Sequence, residues 1–255
     1  MSITESDSLS FRCNICGRTC AAKTADINRE VPSCKNCGST LRWRSIIRAL
    51  SMELFGESLS LQDFPKIRRI TGLGMSDWEG YAMPLARKFN YRNTYYHQEP
   101  KLDITRFDPT LEKAFDFIIS SDVFEHVLPP VSKAFENIRK LLRPDGVLIF
   151  TVPYSKNEKT VEHFPELYDY RIMETNGHYI LKNVTRDGVS QTFDDLIFHG
   201  GAGATLEMRL FSELSLREEF SRAGFSQVKI HKEADLHHGI YWSHDWSLPF
   251  SARII

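Results

Sequence analysis

Four cysteines near the start of the chain are the residues whose spacing points most directly to chemistry. They form two Cys-x-x-Cys pairs, Cys13 with Cys16 and Cys34 with Cys37, and 17 residues lie between the pairs. A two-residue gap lets a tight turn direct both sulfurs of a pair at one point, which suits tetrahedral zinc. A glycine directly follows each pair, so backbone amides can approach the sulfurs without a side chain in the way. Because all four ligands are thiolates and no position remains for an activated water, we expect a structural zinc ion.

Two other uses of these cysteines are a pair of disulfides and a redox Cys-x-x-Cys motif. A reducing compartment argues against disulfides, and duplication of the motif argues against a redox role. Cys20 lies outside both pairs and is predicted to be a spare buried thiol, although it could compete for a ligand position. Since the segment 1–44 is too short to bury much core, we expect this zinc ribbon to depend on its metal for folding.

Basic residues follow the ribbon at Arg42, Arg44 and Arg48, with Trp43 between them. Such a pattern could bind nucleic acid or phosphate. Three arginines at the start of an amphipathic helix are more often a solvated face, and we favour that interpretation.

A second cluster of potential ligands lies near the end of the chain and consists of His237, His238, His244 and Asp245. Adjacent histidines point in different directions on a strand, so convergence on a metal would need a loop. Flat aromatic side chains accompany them, namely Tyr241, Trp242 and Trp246. A substrate-binding rim, on which a sugar ring or a base could rest, is the interpretation that we favour over a second metal.

Composition restricts the class of protein that carries these residues. The chain has 255 residues and a formal net charge of -1, which indicates one main core with a small appendage and no general attraction to nucleic acid. The first ten residues carry no signal-peptide pattern, and no apolar run approaches the ~20 residues that span a bilayer. We therefore expect a cytoplasmic protein with reduced cysteines and no membrane span.

Strand and helix patterns alternate after the ribbon. The predicted strands are KIRRITGLG at 66–74, NTYYH at 93–97, FDFIIS at 115–120 and VLIFTVPY at 147–154, with helical segments between them. This alternation indicates an α/β fold with a mostly parallel, doubly wound sheet. We divide the domain at 45–255 into a connecting helix at 45–60, a substrate-side insertion at 155–212, and the sheet with its helices. A helix at 214–225, a strand at 226–233 and a final edge strand complete the prediction.

The segment FDFIISSDVFEHVLPPVSKAFENIRKLLRPDGVLIFTVPY, residues 115–154, closely resembles the middle of class I S-adenosylmethionine (SAM)-dependent methyltransferases of the type 11 kind. The resemblance extends over about 66–233, and the CxxCGSxxRxR pattern resembles the ribbon fused to some bacterial members. It implies a Rossmann-like methyltransferase fold. Ligands of open parallel sheets sit beyond the carboxyl ends of the strands, so the loops there should converge on one crevice.

The resemblance also implies residues that hold SAM. Those implied are Gly72 and Gly74 at the methionine end, Glu99 on the ribose with His97 and Gln98 as alternatives, Asp103 on the adenine amino group, and Ser121 and Asp122 in the SSDVFEHV loop. Asp103 could instead cap a turn. The chain departs from the family pattern at Ile70, where an acid usually stands, and at Ser76, where a third small residue is usual. No helix fits between NTYYH and KLDIT.

Methyl transfer to a hydroxyl benefits from a general base, and histidine titrates in the right range. The candidate catalytic residues are His126, on the loop after the predicted strand FDFIIS, and His199, at the start of the glycine loop HGGAGAT. His126 could instead anchor its loop, and the glycine loop could be a simple chain reversal. Glu207 and Arg209 are predicted to form a structural ion pair.

Three functions remain open on these residues. The first is methyl transfer to a small-molecule or glycan acceptor, most simply O-methylation of a saccharide. The second is an RNA methyltransferase that binds RNA with its ribbon. The near-zero net charge and the lack of long basic stretches argue against it. The third is a binding protein whose altered cofactor loop no longer holds SAM. Neither the acceptor atom nor the oligomeric state follows from the sequence.

Overall fold

A computed structural model describes residues 8–201 and 203–254. Residues 1–7 of the predicted ribbon and Ala202 of the predicted glycine loop lie outside the described residues. Among the residues that are described, no helix combines the length and apolar character needed to cross a bilayer.

The ribbon is a hairpin with two matching turns. Strands β1 (Ser8–Arg12) and β2 (Thr19–Lys23) pair antiparallel. The amide of Gly17 donates to the carbonyl of Cys13, and the amide of Gly38 donates to that of Cys34, both at 2.8 Å. Both glycines have positive φ angles, 72° and 75°, a conformation in which a side chain would be strained. The glycine after each cysteine pair therefore closes the turn.

The main sheet has six strands. They are β3 (Thr71–Met75), β4 (Asn90–Thr94), β5 (Phe115–Ser121), β6 (Leu142–Thr151), β15 (Gln227–Ile230) and β16 (Phe250–Arg253). Their order across the sheet is β15-β16-β6-β5-β3-β4. Only β16 runs against the others, because it pairs antiparallel with both neighbours while the pairs from β4 to β6 are parallel. The mostly parallel sheet predicted from the sequence is confirmed.

Four helices cover the two faces of this sheet. They are α1 (Leu41–Phe55), α2 (Glu79–Lys88), α3 (Ser132–Leu141) and α4 (Glu213–Arg222). Helices α1 and α2 share one hydrophobic core with the ribbon and with Phe117, whereas α3 and α4 pack with Phe150 on the opposite face. Thr40 caps the start of α1, and Gly56 ends it in the left-handed conformation. The sheet is therefore doubly wound, and the ribbon is packed onto one face of it.

A separate antiparallel sheet stands within the predicted substrate-side insertion. It contains β9 (Asp169–Thr175), β10 (His178–Val184) and β11 (Ser190–Phe193) in the order β11-β10-β9. Short strands tie this segment to the main body, namely β7 (Tyr154–Ser155), β8 (Val161–Glu162), β12 (Phe198–His199), β13 (Thr205–Leu206) and β14 (Arg209–Ser212). Phe164 and Leu181 belong to a small core of its own.

Two expectations about packing were wrong. The final strand β16 is not at the edge, because it inserts between β6 and β15. The arginines after the ribbon are not a solvated face, since Arg44 is fully buried and donates to the carbonyls of Ser39 and Gly239. The missing helix between NTYYH and KLDIT is replaced by a short connection with a bridge from Tyr95 to Lys101.

Candidate functional site

A cavity of about 770 Å³ lies between the ribbon and the carboxyl ends of β3 and β5. This is the edge at which parallel sheets bind their ligands. The residues lining it are Asn28, Arg29, Glu30, Arg42, Trp43, Ser76, Trp78, Tyr81, Ser121, Asp122, His126, Pro153, His199, Gly200, Trp246 and Ser247. The ribbon and its helix therefore supply one wall of the cavity, and the strand ends supply the other.

The loop after β3 contains a residue other than glycine with a positive φ angle. Ser76 has a φ angle of 56°, so a serine occupies the left-handed conformation that usually favours glycine. A Cβ added to Gly72 would lie 2.2 Å from the ring of Phe117, and one added to Gly74 would lie 2.0 Å from Oη of Tyr91. Packing within the protein thus requires both glycines. Their predicted contact with SAM stays a prediction.

Asp77 anchors this loop to the protein interior. Its side chain is buried and accepts hydrogen bonds from the hydroxyls of Tyr81, at 2.7 Å, and Tyr91. Burial raises the pKa of Asp77 to about 7, against these two hydrogen bonds, which lower it. The loop therefore rests on a carboxyl group that titrates near neutral pH.

Trp43 of α1 stacks on Trp78 of the loop after β3, with ring centroids 4.1 Å apart and planes within 10°. Aromatic pairs contribute about 0.5–1.5 kcal/mol beyond the area they bury. The ribbon segment and the loop after β3 are thus held in contact at the cavity wall.

Asp122, after β5, is the centre of an ion-pair network. It has a φ angle of 52° and accepts from both terminal nitrogens of Arg29, at 2.7 and 2.8 Å. Arg42 approaches to 3.2 Å, and the hydroxyl of Thr151 donates at 2.9 Å. Burial opposes ionisation, but the charges of the two arginines hold the pKa of Asp122 well below its usual range. Asp122 is thus a carboxylate that binds the ribbon to the sheet.

The two candidate catalytic histidines meet at the cavity, with ring centroids 4.7 Å apart. Nδ1 of His126 donates to the carbonyl of Leu206 at 2.8 Å, so His126 also anchors its loop, as the alternative interpretation held. Nε2 of His199 lies 2.7 Å from Glu207, which also binds Nε2 of His163 at 2.8 Å. Burial lowers the pKa of His126, and the hydrogen bond with Glu207 raises that of His199.

The predicted Glu207–Arg209 pair is wrong. Arg209 is fully buried and donates to the carbonyls of Phe124 and Val127 and to Glu162. Its guanidinium is thereby fixed beneath the loop that carries His126, while Glu207 lies between two histidines.

Five predicted SAM ligands do not line the cavity, namely Gly72, Gly74, His97, Glu99 and Asp103. His97 and Glu99 are exposed beyond β4, and the carboxylate of Glu99 accepts from the amide of Lys101 at 3.0 Å. Asp103 accepts from the amide and the hydroxyl of Thr105, at 3.0 and 2.6 Å. Asp103 therefore does cap a turn, and contact of these residues with adenosine stays a prediction.

The four paired cysteines form one cluster. Sγ of Cys13 lies 3.8 Å from that of Cys37, and Sγ of Cys16 lies 3.8 Å from that of Cys34. All four sulfurs lie within 4.8 Å of one another. Sulfurs at about 2.3 Å from a tetrahedral zinc ion would be about 3.8 Å apart, so the cluster fits that ion. Cys20 is half-buried and stands outside this group.

The histidines near the end of the chain do not converge. His238 is buried and bonds to Asp235 through Nδ1 at 2.9 Å, whereas His237 is exposed. The ring of His244 stacks on Trp246 at 5.2 Å. Of the three aromatic residues predicted as a rim, only Trp246 lines the cavity.

Sequence reasoning missed Arg29, Glu30, Trp78 and Glu125 as residues of the site. The first two belong to the linker between the cysteine pairs, and only docking of the ribbon onto the sheet brings them to Asp122. The available signal for Glu125 is its position in the loop DVFEHV, directly beside the candidate catalytic residue His126.

Residues 61–230, two thirds of the chain, match the model of a methyltransferase domain family. Solved structures of similar fold include a SAM-dependent methyltransferase from Clostridium acetobutylicum ATCC 824, with 13% identity, a TM-score of 0.44 and coverage of 81% of this chain and 96% of that one. Another from Mesorhizobium loti has 15% identity, a TM-score of 0.42 and coverage of 86% and 100%. The 1,6-didemethyltoxoflavin-N1-methyltransferase of Burkholderia thailandensis has 14% identity, a TM-score of 0.41 and coverage of 84% and 89%.

At these identities and scores the three structures carry no argument about the acceptor. No curated protein matches the chain. The family match over most of the chain, on a doubly wound sheet with a cavity at its carboxyl edge, identifies the chain as a member of the methyltransferase domain family and a SAM-dependent methyltransferase.

Proposed function

We propose that the chain transfers the methyl group of SAM to an oxygen of a saccharide, or of a small molecule that carries one. The observation that supports this most is the cavity itself, whose walls combine tryptophan rings with arginine, asparagine, serine and histidine side chains. A volume of about 770 Å³ falls within the range of sites that enclose small ligands. Such mixed walls suit a ring that has apolar faces and polar edges.

We place the methionine end of SAM beside Ser76 and Ser121, where the strand ends open into the cavity. The adenosine would then extend past Gly72 and Gly74 toward His97, Glu99 and Asp103, as the family resemblance implies. The positive φ angle of Ser76 supports this placement, because the loop retains the shape that a glycine would give it. SAM supplies the methyl group and a sulfonium charge that the transfer neutralises.

The acceptor would lie against Trp246 and the histidine pair. Trp246 is 46% exposed and presents a flat face at the cavity, on which a sugar ring can rest. Asn28 and Glu30 stand on the ribbon side, where they can bind hydroxyl groups. His126 and His199 then border the reacting oxygen. Orientation of the two reactants accounts for roughly 7–11 kcal/mol of a well-aligned transfer, so rigid walls matter more than any single group.

We further propose that the four-cysteine cluster binds zinc and that this zinc is structural. Its four thiolates leave no open position for a ligand. The linker between the two cysteine pairs carries Arg29 and Glu30 into the cavity, so the metal fixes one wall of the acceptor site.

The RNA alternative gains no support from the ribbon. The arginines that could grip a phosphate backbone are engaged inside the protein: Arg44 is buried, and Arg42 binds Glu30 and Asp122.

The test is methyl transfer from SAM labelled with ¹³C in its methyl group to a panel of free sugars, nucleotide sugars and glycosides. The ¹³C chemical shift of the product separates a methyl on oxygen from one on nitrogen or carbon. We expect an O-methyl signal with at least one saccharide. Transfer only to nitrogen or carbon, or only to RNA, would contradict the proposal.

A further inference from the structure

Glu125 is an acidic side chain that the proposed transfer leaves unexplained. It is fully buried, and neither of its carboxylate oxygens has a hydrogen-bond partner among the described residues. An unpartnered buried carboxylate is costly, and in folded proteins such groups are paired or bind a cation. The nearest guanidiniums do not satisfy it, because Arg29 and Arg42 are directed at Asp122.

Two ring nitrogens face this carboxylate. Nε2 of His126 and Nδ1 of His199 each lie 3.8 Å from Oε1 of Glu125. One ligand atom from each of the three residues lies within 4.8 Å of the others. The gaps are too long for hydrogen bonds. A point equidistant from three such atoms lies roughly 2.1–2.5 Å from each, close to the 2.0–2.2 Å of zinc bonds to nitrogen and carboxylate oxygen.

The second ring nitrogen of His126 and that of His199 have the partners that are typical of metal-binding histidines. Histidines that bind a metal almost always direct the second ring nitrogen at a carbonyl or a carboxylate. Nδ1 of His126 donates to the carbonyl of Leu206, and Nε2 of His199 faces Glu207 at 2.7 Å. Glu207 is in turn fixed by His163. Both rings are therefore oriented with their free nitrogens toward Glu125.

We propose that Glu125, His126 and His199 bind a divalent transition-metal ion at the floor of the acceptor cavity. Two imidazoles and one carboxylate suit zinc and its first-row neighbours, and three protein ligands leave open positions. Since both histidines line the cavity, an acceptor hydroxyl can occupy an open position. This part rests on the proposed function.

The metal would assist the transfer by lowering the pKa of that hydroxyl. The proton leaves to water, the acceptor oxygen forms a bond to the methyl carbon, and the carbon–sulfur bond breaks with its electron pair going to sulfur. The products are the methyl ether and S-adenosylhomocysteine. The histidines would act as ligands of the metal, and the acceptor oxygen would be the nucleophile.

The test measures the number of zinc ions bound per full chain. The protein is dialysed against buffered free Zn²⁺, and its zinc content is determined by inductively coupled plasma mass spectrometry. We expect two ions per chain in the wild type, one at the four cysteines and one at the cluster. Glu125→Gln and His199→Asn should each retain one ion. His199 is the safer position to change, because its side chain is 34% exposed whereas that of Glu125 is fully buried. His237→Asn, a histidine exposed outside the cluster, should retain two.

Glu207→Gln should weaken zinc binding at the cluster by about 10–100-fold, as loss of an orienting partner does at other sites. One ion in the wild type, or two ions in both His199→Asn and Glu125→Gln, would overturn the inference. The count needs no acceptor, so it is separate from the proposed function. Two ions without O-methylation would contradict the function alone, and O-methylation with one ion would contradict the metal site alone.

Discussion

Replacing Asp77 with asparagine should remove a pH dependence of stability that the wild-type chain carries. The unfolded carboxyl has a pKa of 3.8, whereas burial raises the folded pKa to about 7. Between these values the folded protein holds a proton that the unfolded chain has released. The free energy of unfolding therefore falls as pH rises, by up to about 1.4 kcal/mol per pH unit, and levels off above the folded pKa. The whole loss is at most about 4 kcal/mol.

The asparagine variant keeps the geometry and removes the titration. The hydroxyls of Tyr81 and Tyr91 donate to different oxygens of Asp77. In the variant the amide oxygen can accept from one hydroxyl, and the amide nitrogen can donate to the oxygen of the other. Groups whose pKa values are lowered, such as Asp122 and Asp235, give stability that rises with pH and thus act in the opposite direction. The quantity to measure is consequently the difference between wild type and variant.

Urea unfolding at intervals from pH 4.5 to 8 measures this difference, with all samples loaded with zinc. We expect the variant to gain stability relative to wild type as pH rises, by about 2–4 kcal/mol over the range. Asp187→Asn, at an exposed position of the insertion, is the matched control and should show a constant difference. A difference for Asp77→Asn that stays constant with pH would refute the assignment of a raised pKa to this carboxyl.

Three further results are expected. Ser76→Gly should raise the free energy of unfolding by about 1 kcal/mol in urea unfolding, because it relieves the left-handed strain at φ 56°; a loss of stability would contradict that conformation. Arg29→Ala should lower the free energy of unfolding by about 2–3 kcal/mol, less than the loss for a fully unpaired buried acid, because Arg42 still contacts Asp122. The control Arg222→Ala, on an exposed helical ion pair, should lower it by under about 0.5 kcal/mol. Equal effects of the two substitutions would refute the network around Asp122. Trp43→Ala should weaken binding of S-adenosylhomocysteine about 2–10-fold in calorimetry by removing the stack on Trp78 of the loop after β3. Unchanged affinity would show that this stack does not support cofactor binding.

Local patterns were enough to predict much of the fold. The spacing of the cysteines indicates one cluster, and the sulfurs do lie together. Alternation of strand and helix predicts the parallel sheet, because crossover helices are what parallel strands require. The order of the strands along the chain does not determine their order across the sheet. The sequence therefore predicts β16 at the edge, whereas β15 occupies that edge and β16 lies inside it.

The site depends on contacts that no local pattern encodes. Arg29 and Asp122 are 93 residues apart, and they meet only because the ribbon docks on the face of the sheet that carries α1 and α2. Its residue type predicts that Arg44 lies at the surface. Its side chain is instead buried where the ribbon, helix α1 and Gly239 meet. His126 and His199 were found by residue type, but their shared neighbour Glu125 was not, since a buried acid resembles any other acid in sequence.

The most direct test of the central claim is calorimetric titration of the zinc-loaded chain with S-adenosylhomocysteine, alongside Ser121→Phe and Ser190→Phe. Ser121 lines the cavity, so a phenyl ring there should fill the space for the ligand, whereas Ser190 is exposed on β11. The account predicts one saturable site in wild type and Ser190→Phe and a loss of at least about tenfold in affinity in Ser121→Phe. No binding to the wild type, or equal binding to all three proteins, would contradict a cofactor site in this cavity.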